Sequence, residues 1–364
     1  MTNLSIAKQF CFQGEIRCIA PFGNGHINDT FLVECEDGEQ SYKYVLQRLN
    51  TNIFPDYQGL MNNVALVTDF LRKSIIDRGG DPNRECMTLV PTLDGNIYYY
   101  VDGHCWRAYI YIDNTVAYQI VDDASVFADS GRAFGKFIAG LDDFDATKLV
   151  EVIPNFHNTV DRFDKFEQAI RDNLSGRKKT AEEEILFATS HKGITSVIVD
   201  ALAKGEIPLR VTHNDTKLNN VLIDATTGRA ICVVDLDTIM PGSLLYDFGD
   251  SVRFGCSTAL EDEPDLDKVD FDLNLYDAYC QGFLDGIGDK ITAKEVSMLH
   301  IGAIMMTFEC GIRFLTDYLN GDTYFKTSYP EHNLVRCRTQ FKLVRQMEKS
   351  IPQMVEISKK YSTK

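Results

Sequence analysis

The alternation of apolar and polar residues divides the chain into a strand-rich first part and a helix-rich remainder. Before Asp113, short apolar or alternating runs predict five strands, namely Ile16–Pro21, Asp29–Glu34, Lys43–Leu49, Asn96–Val101 and Cys105–Ile112. One helix is predicted from Leu60 to Lys73, because its apolar residues recur at helical spacing. This part therefore predicts a small sheet with a helix.

Beyond Asp113 the pattern is mainly helical, with clear helices predicted at Ser125–Leu141 and Met305–Leu319. A chain of 364 residues is too long for one compact core. The sequence therefore predicts two domains, residues 1–112 and residues 113–364. The predicted fold class is α+β, with a small N-terminal lobe of antiparallel sheet plus helix and a larger, mainly helical C-terminal lobe.

The most informative polar segment is 210–220, which places Asp215, Lys217 and Asn220 in one loop. A further carboxylate, Asp235, follows a predicted buried strand. This spacing is typical of phosphoryl transfer. Asp215 would accept the proton of the acceptor hydroxyl and Lys217 would contact the γ-phosphate, while Asn220 and Asp235 would bind Mg²⁺. The alternative is a polar turn between two core strands.

Three neighbouring residues have supporting roles in this interpretation. His213 is predicted to pack and to hydrogen-bond within the loop. Asp237 would face the same side of an extended chain as Asp235, and would share the metal or steady it. The segment 246–250 contains Asp-Phe-Gly, but Asp247 is predicted to be a buried carboxylate that anchors the loop, because Asp235 has the better spacing after Asn220.

A glycine turn at 23–28 lies between the first two predicted strands. Gly23 and Gly25 would let backbone N–H groups, with Asn28 nearby, approach nucleotide phosphates without interference from a Cβ atom. A plain hairpin turn is the alternative. A Rossmann site is disfavoured, because a strand and not a helix follows the turn.

In a kinase lobe of this kind, the third strand carries a Lys that contacts the phosphates. Here that place falls on Gln47, with Arg48 as the neighbouring candidate, and only one of the two can face the nucleotide because side chains alternate along a strand. Gln47 is slightly favoured. The following helix offers Ala65 and Asp69 but no obvious Glu partner, so the usual Lys–Glu ion pair is in doubt.

Glu309, Arg313 and Asp317 recur at i, i+4 and i+8 on a predicted helix, which is the spacing of a salt-bridged surface stripe. Apolar neighbours indicate that the stripe is partly buried. A buried Arg313 would be suited to fork onto sugar hydroxyls or an amide carbonyl. Tyr324 follows in an aromatic segment, and its ring would suit a sugar face or, more commonly, core packing.

Composition narrows the class of protein. The net charge of −16 argues against nucleic-acid binding. The ten scattered cysteines favour free buried thiols in a reducing cytoplasm over a disulfide framework or a zinc site. The start of the chain lacks the pattern of a signal peptide, and no apolar run has the length of a membrane span. The expectation is a cytoplasmic enzyme without a membrane, nucleic-acid or obligate protein partner.

Taken together, the motifs at 23–31, 44–50, 212–220, 235–242 and 309–315 resemble those of aminoglycoside phosphotransferase-like kinases, a small-molecule branch of the protein-kinase fold. The similarity runs from about residue 16 to about residue 347. It implies a bilobal protein-kinase-like fold, hinged near 109–113.

Within this family, the similarity implies ATP- and Mg²⁺-dependent phosphorylation of the anomeric hydroxyl of N-acetylglucosamine or N-acetylgalactosamine. It implies Asp215 as the base, with Asn220 and Asp235 as metal ligands. Arg313 and Tyr324 would contact the sugar, and His26 would lie near the acceptor or the phosphates. The alternatives are a kinase of homoserine, choline or an amino sugar, a pseudokinase that binds nucleotide, and a purely structural domain.

Overall fold

The computed structural model describes residues 2–23, 27–119 and 123–362. The chain packs into two compact units. Unit 1 contains Met1–Val116, Asp143–Pro154 and Leu222–Met240, and unit 2 contains the remaining segments Ala117–Asp142, Asn155–Val221 and Pro241–Lys364. The change of composition near Asp113 thus lies close to the end of the first segment of unit 1, and two later segments also pack into that unit.

Unit 1 is built on a five-stranded antiparallel sheet in the order β1-β2-β3-β5-β4. Its strands are β1 (Glu15–Pro21), β2 (Asp29–Asp37), β3 (Gln40–Arg48), β4 (Tyr99–Val101) and β5 (His104–Ile110). Its helices are α1 (Asn3–Ala7), α2 (Tyr57–Asp77) and α3 (Pro82–Glu85). A second sheet has the order β6-β8-β9, formed by β6 (Thr115–Val116), β8 (Val221–Asp224) and β9 (Ala230–Val233). All five predicted strands and the predicted helix are present.

The two faces of the five-stranded sheet have different chemistry, because successive side chains along a strand point to opposite faces. One face is apolar. There Val33, Leu46 and Ala108 are buried together with Ile6 of α1 and Trp106. The opposite face carries Gln47 of β3. Burial of one apolar face sets the register of the strands, because a slip by one residue would exchange the faces.

Unit 2 is mainly helical. In chain order it contains α4 (Ala124–Gly140), α5 (Thr159–Asp172), α6 (Glu182–Ser190), α7 (Val197–Ala203), β7 (Arg210–Thr212), β10 (Met240–Gly242), α8 (Leu244–Gly255), α9 (Leu273–Ile287), α10 (Ala293–Asn320), α11 (His332–Lys349) and α12 (Ile351–Ser362). The short strands β7 and β10 pair. The predicted fold class, a small antiparallel sheet with helix and a larger helical part, is confirmed.

Glycines allow α4 and α9 to approach each other at backbone distance. A Cβ atom added at Gly282 would lie 1.8 Å from the carbonyl oxygen of Ala128, and one added at Gly135 would lie 2.4 Å from that of Phe283. A side chain at either position would force the helices apart. This pair of helices is therefore fixed by the absence of side chains at its contact.

Judged by length and composition alone, helix α10 could cross a membrane. Two shorter helical segments could do so only if they are counted together as one bent span. However, 78% of the most apolar window of α10 is buried within the protein, which is the behaviour of a core helix. The ten cysteines are all free, as predicted, but the prediction that they are buried is wrong for Cys11 and Cys18, which are exposed.

We expect Gly282→Ala to lower the free energy of unfolding by about 3 kcal/mol, because its methyl group would overlap the backbone of α4. Gly193→Ala is the matched control, since a Cβ atom there meets nothing within 4 Å. Urea denaturation of both variants measures the difference. Equal stability of the two variants would contradict the close helix contact.

Candidate active site

The loop predicted to carry the catalytic residues follows β7 in unit 2, and Arg210, the first residue of that strand, forms two ion pairs. The guanidinium of Arg210 donates from Nε to Oε1 of Glu295 at 2.7 Å and from Nη1 to Oδ1 of Asp142 at 2.8 Å. Glu295 also completes a capping box with Thr292 at the start of α10. The start of the loop is therefore tied to the N-terminus of the longest helix of the chain's described part.

Asp247 of α8 fixes the next residues of the loop. Its carboxylate accepts the backbone N–H groups of His213 at 2.8 Å and Asn214 at 2.7 Å, and its carbonyl oxygen accepts the hydroxyl of Thr216 at 2.6 Å. Burial raises the pKa of Asp247, although His213 and the two backbone hydrogen bonds act in the opposite direction. Asn214 has a φ of 64°, a left-handed conformation that Asn tolerates. The predicted anchoring role of Asp247 is confirmed.

His213 packs inside unit 2, as predicted. It is fully buried, and its ring meets the edges or faces of Phe134 and Phe137 of α4 at centroid distances of 5.6 and 6.0 Å. Its Nδ1 accepts the backbone N–H of Asp215 at 3.3 Å. The ring thus supports the residue that carries the predicted catalytic carboxylate.

Asp215, Lys217 and Asn220 converge at the end of this loop. The ammonium of Lys217 lies 2.7 Å from Oδ1 of Asp215. The Asn220 amide donates to the Asp215 carbonyl oxygen at 2.8 Å and to Oδ2 at 3.2 Å. Burial alone would lower the pKa of Lys217, but the charge and hydrogen bond of Asp215, together with the charge of Asp250, raise it overall. The site therefore holds a fixed, half-exposed carboxylate beside a permanent cation.

In unit 1, Asp235 follows β9 in a strained conformation. Its φ of 63° and ψ of 61° place it in the left-handed region, and a 3-10 turn, Leu236–Thr238, begins directly after it. The prediction that Asp235 and Asp237 face the same side of an extended chain is therefore wrong, because the chain turns at Asp235. Such backbone conformations are often found at functional sites. Asp235 is exposed, whereas Asp237 is buried.

Asp237 forms a buried ion pair with Arg107 of β5. Arg107 is only 1% exposed and Asp237 5%. Sequence reasoning missed Arg107, because an arginine within an apolar strand gives no signal of its partner. The available signal was the position of Arg107 in β5 opposite Gln47, since directly paired residues on neighbouring strands share a face of the sheet.

Gln47 lies at the centre of a hydrogen-bond chain across three strands. It is paired with Thr30 on β2 and with Arg107 on β5. Its Oε1 accepts from Nε and Nη2 of Arg107 at 3.0 and 2.9 Å, and its amide donates to the Thr30 hydroxyl at 3.1 Å. Gln47 therefore positions Arg107, a role that the sequence did not indicate.

Arg48 points to the other face of the same sheet, as the alternation of side chains requires. It forms an ion pair with Asp29 and lies over the ring of Trp106, 6.0 Å from the centroid. Of the two candidates on β3, only Gln47 shares a face with Arg107.

The glycine turn is described only in part. Gly23 has a φ of 78°, which glycine adopts without strain, while Gly25 and His26 lie outside the described residues. The Asn28 amide donates to Oδ2 of Asp237 at 2.7 Å, and its Oδ1 accepts the backbone N–H of Asn50 at 3.0 Å. Asn28 thus joins the turn to the Arg107–Asp237 pair.

On α10, the predicted stripe does not form a ladder of ion pairs. Glu309 binds His157 through Nδ1 at 2.9 Å and the hydroxyl of Thr159 at 2.6 Å. Arg313 forms no ion pair with any described carboxylate and instead lies over the rings of Phe156 and Phe325, at 5.8 and 5.5 Å from their centroids. The partial burial predicted for the stripe is confirmed, and its salt-bridged character is wrong.

Asp317 organises the segment that carries Tyr324. Its carboxylate accepts the backbone N–H groups of Thr323, Tyr324 and Phe325 at 2.8 to 2.9 Å. The side chain of Tyr324 remains 71% exposed. The ring of Tyr324 is therefore available to a ligand, and Tyr324 is not a core residue.

Metal-binding capacity can be judged from the donor atoms. In the described part of the chain, no three His, Cys, Asp or Glu side chains converge as a metal cluster. Kinase-type Mg²⁺ sites need only one or two carboxylates, because phosphates and waters supply the other oxygens. In unit 2, the amide nitrogen of Asn220 is used by Asp215, so that its Oδ1 is the oxygen that remains for a cation. In unit 1, Asp235 is an exposed carboxylate residue. These donors fit Mg²⁺.

The chain is similar in sequence or in fold to known phosphotransferases. The APH family, described as the phosphotransferase enzyme family, matches residues 19–283. An aminoglycoside phosphotransferase from Alicyclobacillus acidocaldarius is similar over 98% of this chain and 97% of its own, with a TM-score of 0.64 and 12% identity. A microcompartment-associated aminopropanol kinase is similar over 97% and 98%, with a TM-score of 0.58 and 16% identity. A spectinomycin phosphotransferase solved with ADP and spectinomycin is similar over 98% and 97%, with a TM-score of 0.55 and 12% identity. At these identities the similarity establishes the fold.

We expect Asp237→Ala to lower the free energy of unfolding by about 3–5 kcal/mol, because it leaves the Arg107 guanidinium buried without a counter-charge. Glu36→Ala, which breaks an exposed ion pair with Arg17, should cost less than about 1 kcal/mol. Urea denaturation measures both. Equal losses of stability in the two variants would contradict the expected cost of an unpaired buried charge. Recovery of stability in the double variant Arg107→Met with Asp237→Leu would support that cost.

Proposed function

Because the chain belongs to the phosphotransferase enzyme family, we propose that it is a kinase that transfers the γ-phosphoryl group of ATP to the anomeric hydroxyl of an N-acetylhexosamine. The proposal makes it an N-acetylhexosamine 1-kinase. The observation that carries the transferase chemistry is the convergence of Asp215, Lys217 and Asn220 on one anchored loop.

Asp215 is the proposed catalytic base. Its carboxylate is half-exposed and can accept the proton of an acceptor hydroxyl. The Asn220 amide on Oδ2 and the Lys217 ammonium on Oδ1 hold the carboxylate in one orientation. Such positioning contributes strongly, because phosphoryl transfer passes through a loose transition state that needs alignment more than covalent chemistry. Lys217, whose pKa is raised, stays cationic and would contact the phosphoryl group in transit.

For the nucleotide, we assign phosphate contacts to the glycine turn, through Gly23, Gly25, His26 and Asn28, and to Gln47 on the neighbouring strand. The spectinomycin phosphotransferase similar to this chain was solved with ADP, which supports nucleotide use. Asn220 and Asp235 would hold Mg²⁺. When bound, the ion neutralises charge on the nucleotide phosphates.

The acceptor is proposed to be a neutral sugar, contacted by Arg313 and Tyr324. Arg313 can donate two hydrogen bonds to sugar or amide oxygens, because no described carboxylate forms an ion pair with it. The exposed Tyr324 ring suits the apolar face of a sugar. The free state of all ten thiols fits a cytoplasmic enzyme.

A second candidate is a kinase of an amino alcohol, favoured by the similarity to an aminopropanol kinase. ADP release measured with N-acetylhexosamines, hexosamines and amino alcohols separates the two. A ³¹P NMR spectrum of the product distinguishes an anomeric phosphate from a phosphate at another hydroxyl. An amino alcohol as the only productive acceptor would overturn the sugar assignment.

We expect Asp215→Asn to reduce kcat by about 10³-fold or more, because the amide cannot accept the hydroxyl proton. Binding of MgATP, measured by thermal shift, should persist. Asp200→Asn is the control, since Asp200 is an exposed residue of α7. Turnover near the wild-type rate in Asp215→Asn would refute the assignment of the base.

Asp235→Asn should weaken MgATP binding by at least about tenfold, because it removes a charged metal ligand. Asn also tolerates the left-handed backbone at this position, so that the fold is preserved. Calorimetric titration of the variant, with Asp77→Asn as an exposed control in unit 1, measures the change. Unchanged affinity would contradict the role of Asp235 in metal binding.

A further inference from the structure

Two guanidinium groups of unit 2 meet at one aromatic ring. Arg162 of α5 lies 6.0 Å from the centroid of Phe156, and Arg313 of α10 lies 5.8 Å from the same centroid. Neither arginine forms an ion pair with a described carboxylate. Two like charges near one ring repel each other, and the Glu309 carboxylate acts on both guanidinium groups without forming an ion pair with either.

Arg162 is oriented by the backbone and not by a charge. Its Nε and Nη2 donate to the carbonyl oxygen of Phe156 at 3.3 and 2.9 Å. No described group hydrogen-bonds to its Nη1. One edge of the guanidinium is thus fixed, and the remaining nitrogen is left to donate elsewhere.

The nearby acidic groups are already used by other partners. Asp161 pairs with Lys165 at 2.6 Å, and Glu309 is bound by His157 and Thr159. Burial lowers the pKa of Arg162 and the charge of Arg313 lowers it further, while Glu309 and Asp161 act in the opposite direction without reversing the shift. The positive potential of the two arginines is therefore only partly compensated.

A buried ring nitrogen adds a second polar atom without a partner. His157 binds Glu309 through Nδ1, while its Nε2 has no hydrogen bond within the described residues. The His157 ring lies against Phe156 at a centroid distance of 4.5 Å. A hydroxyl could pair with Nε2 in either tautomer, because a hydroxyl both donates and accepts.

We propose that Arg162 and Arg313 form a two-guanidinium subsite that accepts an uncharged, oxygen-bearing substituent of the acceptor and excludes an ammonium group at the same position. This inference rests on the proposed sugar kinase function and deepens it. Arg162 then determines specificity for an acetamido sugar over the corresponding amino sugar. The carbonyl oxygen of the acetamido group accepts from the guanidinium nitrogens, whereas the protonated amine meets two like charges, and the nearby Glu309 carboxylate is already bound by His157 and Thr159.

The experiment compares kcat/KM for N-acetylglucosamine and glucosamine in the wild type, Arg162→Gln and Arg162→Lys. Arg171→Gln is the matched control, because it removes one positive charge from an exposed side chain of the same helix that hydrogen-bonds to the Gln168 amide oxygen and not to a carboxylate. We expect the glucosamine to N-acetylglucosamine ratio to rise at least about tenfold in Arg162→Gln, since a charge of like sign is removed. The ratio should stay near the wild-type value in Arg162→Lys, which keeps the charge, and in Arg171→Gln.

An unchanged ratio in Arg162→Gln, with wild-type phosphorylation of N-acetylglucosamine intact, overturns the subsite and leaves the proposed function standing. A rise of the ratio in Arg162→Lys equal to that in Arg162→Gln would show that the shape of the side chain, and not its charge, excludes the amine. If the wild type phosphorylates neither sugar, the proposed function fails together with the inference. Where Arg162→Gln proves unstable in a melting experiment, Arg313→Gln supplies the same comparison.

Discussion

The loop of unit 2 depends on one buried carboxylate. Asp247 accepts two successive backbone N–H groups, from His213 and Asn214, that no regular secondary structure would satisfy. Each hydrogen bond to a charged group is worth about 1.5–3 kcal/mol, enough to offset the strained backbone at Asn214. These hydrogen bonds fix the backbone on either side of Asp215, since Asp247 also accepts the hydroxyl of Thr216.

Buried charged groups also fix a turn of the chain in unit 1. The buried pair of Arg107 and Asp237 is linked through Gln47 to the sheet and through Asn28 to the glycine turn. Here too a polar contact buried among apolar residues fixes a turn, the one that begins at Asp235. In both units, a buried charge fixes the backbone next to a residue proposed for the reaction, Asp215 in unit 2 and Asp235 in unit 1.

The sequence predicts well what depends on short-range pattern. Strand alternation and helical spacing are local, so the sheet of unit 1 and the helix carrying Arg313 were predictable, as was the anchoring role of Asp247. The partner of Gln47 was not, because the pairing of β3 with β5 joins residues distant in the chain. The turn at Asp235 also escaped prediction, since a non-glycine residue with positive φ leaves no compositional signal.

The pair formed by Arg107 and Asp237 bears on how such chains are classified. A column-by-column alignment that requires a lysine on the third strand would count this sequence as degenerate. In this sheet the buried cation is Arg107, one strand across from Gln47, and its carboxylate comes from a turn and not from a helix. A search that compares charges in the register of the sheet would recover chains of this kind that a motif filter discards.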